Sequence, residues 1–197
     1  MTATEEFAVK LQRVRDMMET RSLSGVVIQK ATNLAWLLGG AECWVARTVE
    51  KGNCTAIVTA DECHVLMNAV ESRRLLPEEL EGLGVTPQEF PWHQDATDEL
   101  IGQLGGGAIG SDMGVAGSKA IEGDLVSAQT PLTDSEMERY RALGRDAGEA
   151  LGAAMRDVKP GMTEHQIAAL IAGEVLARGA QAAVLLVAVD DRAMSYR

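Results

Sequence analysis

Residues 182–189 read Ala-Ala-Val-Leu-Leu-Val-Ala-Val, eight apolar side chains in a row. A run of that length, rich in β-branched residues and set between Gly179 and Asp190, predicts a strand fit for the middle of a sheet. Such a strand needs a partner along each edge and a layer over each face. The residues just before it offer only helices. Thr133 and Glu136 form a capping-box pattern, with Leu132 and Met137 as its hydrophobic staple, and Thr163 and Gln166 repeat the device with Met162 and Ile167. Lys159-Pro160-Gly161 stops the first helix and turns into the second, which Gly179 ends. The first is expected to bury Met137, Tyr140, Leu143, Ala147 and Leu151, the second Ile167, Leu170, Ile171 and Val175. Two helices and one strand cannot enclose that strand. On one reading, residues 133–197 are the start of a second domain whose remainder is absent, and they expose apolar area that favours self-association. On the other, the strand joins the sheet of an upstream domain. The residues favour neither.

Upstream, strands alternate with helices, the pattern of an α/β domain. Phe7, Leu11, Val14 and Met18 recur at helical spacing within Thr4–Arg21. Gly25–Ile28 predicts a buried strand, and Asn33–Leu38 a short helix closed by Gly39-Gly40. Cys54–Thr59 and Cys63–Met67 predict two strands joined by the turn Ala60-Asp61-Glu62. Helices over Pro77–Leu83 and Asp95–Leu104 and a strand over Gly107–Ser111 follow. The expected organisation is a domain over 1–128, a linker over 129–132 and the incomplete unit over 133–197.

Size and composition fit this division. The 197 residues and 21.0 kDa suffice for one domain plus part of a second. A hydrophobic share of 46% with 24% charged residues excludes a disordered chain. A net charge of −11 excludes the basic face that a nucleic-acid partner requires. Met1–Leu11 carries Glu5 and Glu6 and no apolar core, so no secretory signal is expected. The longest apolar run falls far short of the ~18 residues of a membrane span. Three cysteines without framework spacing predict a reduced, cytoplasmic setting.

Candidate chemistry is sparse. Gly105, Gly107 and Gly110 match a dinucleotide fingerprint by spacing, but they follow a helix and run into a strand, the reverse of the required context. A flexible turn is the better reading. Cys43, Cys54, Cys63, His64 and His93 lack metal-ligand spacing. Cys54 and Cys63 sit in strand patterns, where a thiol packs as a small hydrophobe. His165 falls in the first turn of its helix and is expected in solvent. Asp190-Asp191-Arg192 reads as a charged turn rather than a metal site. Trp36 is expected in the core, whereas Trp44 and Arg47, just past the Gly-Gly turn, make an exposed contact pair.

The order of these pieces resembles the creatinase/aminopeptidase P superfamily, the pita-bread metallopeptidases. Leu23-Ser24-Gly25-Val26-Val27-Ile28 and Asn33-Leu34-Ala35-Trp36-Leu37-Leu38-Gly39-Gly40 are similar to that family's opening passage, with Ser24 where Asp is common. Glu71 and Arg73-Arg74 close the hairpin of the same domain. Leu132–Arg141 resembles the entry into the catalytic domain, and Val158-Lys159-Pro160-Gly161-Met162-Thr163-Glu164 the turn between its first two helices.

The resemblance implies a creatinase-type N-terminal α/β domain followed by the truncated start of a pita-bread domain. It implies a metal-dependent hydrolase of the Xaa-Pro aminopeptidase or dipeptidase type, acting on a peptide or small amide. Two divalent ions (Mn, Co or Zn) in such enzymes activate water, but their five ligands lie on later strands and map to no residue here. Catalytic and metal residues are therefore expected to be absent from this chain, leaving it inactive by itself. In dimeric relatives the N-terminal domain of one subunit approaches the other's active site, which implies a homodimer and places Trp44 and Arg47 near substrate. The alternatives are a non-catalytic interaction module of the same fold and a fragment of a creatinase-type amide hydrolase.

Overall fold

The structure, a computed structural model, describes residues 1–46, 48–104 and 106–195. The chain forms two compact units, Met1–Thr133 and Asp134–Arg197.

The first unit opens with helix α1 (Ala3–Arg21), which Thr2 and Glu5 start with a reciprocal capping box. Ser22 ends it in the left-handed region at φ 51°. Strand β1 (Gly25–Lys30) runs straight into α2 (Ala31–Leu37). Strands β2 (Lys51–Thr59) and β3 (Cys63–Asn68) form the expected hairpin, with β2 starting three residues earlier than its apolar pattern. A short helix α3 (Ser72–Arg74) widens into a π-helical turn over Leu75–Glu79. That turn stands where a helix over Pro77–Leu83 was expected. Pro77 has no N–H to give, and the wider turn closes instead through the Leu80 N–H to the Leu75 carbonyl at 2.9 Å. Then come β4 (Thr86–Phe90), α4 (Thr97–Leu104), β5 (Ile109–Ser111), β6 (Lys119–Ala120) and α5 (Glu122–Gln129).

The six strands form one sheet in the order β4-β3-β2-β1-β5-β6. β1 and β3 flank β2 antiparallel, with Val26 opposite Val58 and Val65 opposite Ala56. β4 joins β3, and β5 joins β1, in parallel. Side chains alternate between the faces. Val26, Ile28, Ala56, Val58, Val65 and Met67 meet Phe7, Val14 and Met18 of α1 and Leu34 and Leu37 of α2. On the other face Val27, Ile57 and Leu66 meet Ile101 of α4. Each of these Val, Ile, Leu, Phe or Met side chains taken fully out of water contributes about 1.5–3 kcal/mol. Lys10 and Glu6 of α1 are buried as an ion pair at 2.6 Å, and the Lys10 ammonium also donates to the Trp36 carbonyl at 2.7 Å. That pairing offsets the cost of taking both charges out of water.

The second unit contains α6 (Asp134–Asp157) and α7 (Glu164–Ala177), joined by the expected turn with Gly161 at φ +88°, and a short α8 (Asp191–Ser195). Thr163 and Gln166 cap α7 reciprocally. Two expectations fail here. Residues 182–189 form no strand; every strand among the described residues lies between residues 25 and 120. A strand exists only where a neighbour takes up its N–H and C=O groups, and none of the described strands does. The face of α6 expected to be buried is open as well: Tyr140, Leu143 and Leu151 are exposed, and Ala150 and Ala154 are buried instead.

Candidate functional site

The loop between α2 and β2 carries the residues that the sequence singled out. Gly39 and Gly40 take φ of +74° and +107°, which only glycine adopts without strain, and so turn the chain sharply out of α2. The base of the loop is tied down from three sides. The Asn53 N–H donates to the Cys43 carbonyl at 2.9 Å, and the Ala31 N–H to the Glu50 carbonyl at 2.9 Å. The Glu79 carboxylate accepts the Glu42 N–H at 3.0 Å, and the Arg74 guanidinium bridges Glu79 and the Glu42 carbonyl. Glu71, Arg73 and Arg74, read from sequence as the close of the hairpin, thus include a residue that buttresses this loop. Beyond the base, Val45 is 79% exposed and Val49 is exposed too. Trp44 is half-buried rather than exposed, and Arg47 lies outside the described residues. The loop therefore combines a braced base with two exposed valines.

At the inner end of the same region a buried polar knot sets the start of α2. Asp112, just past β5, accepts the N–H groups of Gln29 and Lys30 at 2.9 and 3.0 Å and the Asn33 amide at 2.9 Å. Asn33 in turn accepts the Gln129 amide at 2.9 Å, linking α2 to α5. The carboxylate satisfies backbone donors that the strand-to-helix junction leaves open. These contacts are structural, and no signal in the sequence marked them: Ser111-Asp112 reads as an ordinary strand end.

Metal chemistry does not fit the described residues. No group of three or more His, Cys, Asp or Glu side chains comes together among them. Cys43, Cys54 and Cys63 are free and buried. The Cys54 thiol is pushed up first by its contact with the Cys43 thiol and then by burial, while burial pushes Cys63 up to about 12. Both stay protonated at neutral pH. His64 is buried with Nε2 3.1 Å from Glu62, His93 packs edge-on against Trp92 at 5.6 Å, and His165 is in solvent. Asp190 turns the chain at φ 52° into α8, which Asp191 starts, while Arg192 reaches Glu164 at 2.9 Å.

The glycine fingerprint fails on geometry too. Gly105 lies outside the described residues. Gly110 is required by packing: a Cβ there would fall 2.5 Å from Ile121 Cγ2 and 2.9 Å from Leu23 Cδ1. Trp36 packs against the main core as expected, with its indole N–H buried and unpartnered.

Comparison with known proteins places this architecture. A family model described as the creatinase/prolidase N-terminal domain matches residues 10–142. No curated protein matches the chain. Among solved structures it is similar to the prolidase from Pyrococcus horikoshii OT3, with a TM-score of 0.66 and 16% identity over 86% of this chain and 48% of that one. The dipeptidase PepE from Mycobacterium ulcerans matches with a TM-score of 0.65 and 20% identity over 88% of this chain and 50% of that one. The N-terminal domain of the FACT complex subunit SPT16 from Cicer arietinum matches with a TM-score of 0.56 and 12% identity over 89% and 51%. The chain thus spans about half the length of each of these. With two thirds of its residues inside the family model, the chain belongs to the creatinase/prolidase N-terminal domain family.

Proposed function

We propose that this chain is the N-terminal part of a metal-dependent hydrolase of the Xaa-Pro dipeptidase or aminopeptidase type. The family match over residues 10–142 carries the reading. It is supported by the likeness in fold to a prolidase and to an Xaa-Pro dipeptidase from Bacillus anthracis, each covered over about half its length. The two metal ions and the water they activate belong to the catalytic half of the complete protein, and α6 and α7 are the start of that pita-bread domain. The complete protein is a homodimer in the cytoplasm, and three free thiols suit the reducing compartment. In it the loop from Gly39 to Glu50 contributes to substrate binding at the partner's site. Its braced base and exposed Val45 and Val49 suit a contact of that kind.

The test uses a protein that carries this chain followed by a catalytic half. It should hydrolyse Xaa-Pro dipeptides with added Mn²⁺ and lose the activity to a chelator. Replacing Trp44 and Arg47 together by Ala should raise KM or lower kcat. Chelator-insensitive or absent turnover contradicts the enzymatic reading, and unchanged kinetics in the double variant remove the role of the loop.

A further inference from the structure

Helix α4 covers only part of the sheet face it packs on. Over the uncovered part of β2 and β3 lies a cavity of about 220 Å³. Its floor changes character at the edge of the helix: Ile57 and Leu66 lie beneath α4, but Asn53, Thr55 and Asn68 occupy the open positions on the same face. Polar side chains on a sheet floor keep their place only where hydrogen-bond partners or water reach them. Here part of that capacity is unused. Asn53 gives its amide to Glu71, and its Oδ1 is buried without a partner. Asn68 uses Oδ1 to accept the Val70 and Glu71 N–H groups at 2.9 and 3.1 Å, and its own amide N–H groups have no partner among the described residues.

The rim supplies two rings and two opposite charges. Trp92 is 71% exposed, and Phe90 stands beside it at the end of β4. Asp95 is held below the usual carboxylate range, first by the Thr97 hydroxyl and N–H, with the Lys51 ammonium adding a smaller pull. It is therefore a permanent anion at neutral pH. Lys51 is close enough to be felt, yet no ion pair joins the two among the described residues.

We propose that this cavity binds a free, zwitterionic α-amino acid. The ligand carboxylate meets Lys51 and the Asn68 amide, and its ammonium meets Asp95 and the face of Trp92, as cations do on indoles. An apolar side chain lies against Phe90. The volume is smaller than the several hundred Å³ typical of sites for larger organic ligands, and it suits a single residue rather than a peptide or nucleotide. An uncharged ligand of the same size would leave both rim charges unused. Two opposite charges that form no ion pair with each other among the described residues fit a molecule that carries both.

Titration of the 197-residue chain with L-leucine, followed by calorimetry and by Trp fluorescence, tests this. Saturable binding is expected. N-acetyl-L-leucine lacks the ammonium and L-leucinamide lacks the carboxylate, so each should bind about tenfold more weakly or worse. Lys51→Met should weaken L-leucine binding and leave L-leucinamide unchanged, and Asp95→Asn should do the same with N-acetyl-L-leucine as the unaffected partner. Both residues are exposed, and the amide introduced by Asp95→Asn keeps an oxygen for the Thr97 N–H, so these variants retain the fold. No saturable response to L-leucine overturns the proposal. So do equal affinities for the three compounds, or variants that bind all three as the parent does.

Discussion

Asp112 shows how much one side chain can hold. It accepts two backbone N–H groups and one amide at the junction of β1 and α2, all within 3.0 Å. Removing the carboxylate strands those donors in a buried place, and each unsatisfied group costs on the order of 1–3 kcal/mol. Asp112→Ala should therefore lower stability by about 3 kcal/mol or more, read as a lower urea midpoint at unchanged slope. A loss under about 1 kcal/mol would show that water replaces the carboxylate. The cysteines act in the opposite sense. Burial pushes Cys63 to about 12, above the ordinary thiol value of 9.0 that the unfolded chain has. A raised acid contributes stability in full below the unfolded value and loses it as pH rises through the folded one. The unfolding midpoint should therefore fall between pH 9 and 12, and Cys63→Ala should flatten part of that fall. An identical slope in the variant would assign the decline to other groups. The burial of Cys54 and Cys63 was legible from their place in strand patterns. The bracing by Asp112 was not, because a lone Asp after a strand carries no periodic signal.

At the scale of elements, agreement follows the strength of the local signal. α1, α7 and the β2–β3 hairpin combine apolar periodicity with caps or a turn, and all three stand where the sequence puts them. β4 escapes a reading from sequence. Thr-Pro-Gln-Glu-Phe carries a proline and alternates between exposed and half-buried side chains, which is how an edge strand is written. β6 and α5 escape it for want of an apolar stripe. The run at 182–189 misleads for the converse reason: composition makes a strand possible, but only a neighbour makes it one. Gly110 in β5 is a position where packing, invisible in a glycine-rich stretch, decides the residue. An added Cβ would overlap Ile121 and Leu23, so Gly110→Ala should cost about 1–3 kcal/mol. Gly102→Ala, in α4 with nothing within 4 Å, should be neutral or stabilising. Equal thermal midpoints for the two variants would contradict the close packing of β5 against Ile121.

For the molecule as a whole, the first unit has a two-faced sheet with a core on each side, whereas the second leaves an apolar face of α6 and residues 182–189 largely uncovered. The resemblance in sequence order leads to the same family that the comparison finds. The candidate site is legible only as a loop: Trp44 and Arg47 stand out beside a Gly-Gly turn, while the bracing by Glu79 and Arg74 and the cavity beneath Trp92 need tertiary structure. No metal-ligand cluster exists among the described residues. The proposed division of labour gives this chain fold and substrate contacts and leaves the metal chemistry to the catalytic half. Its most direct test is an assay of the purified 197-residue chain with Mn²⁺ against Xaa-Pro dipeptides, with and without a chelator. No turnover above the uncatalysed rate is expected in either condition. Clear turnover that the chelator abolishes would contradict it.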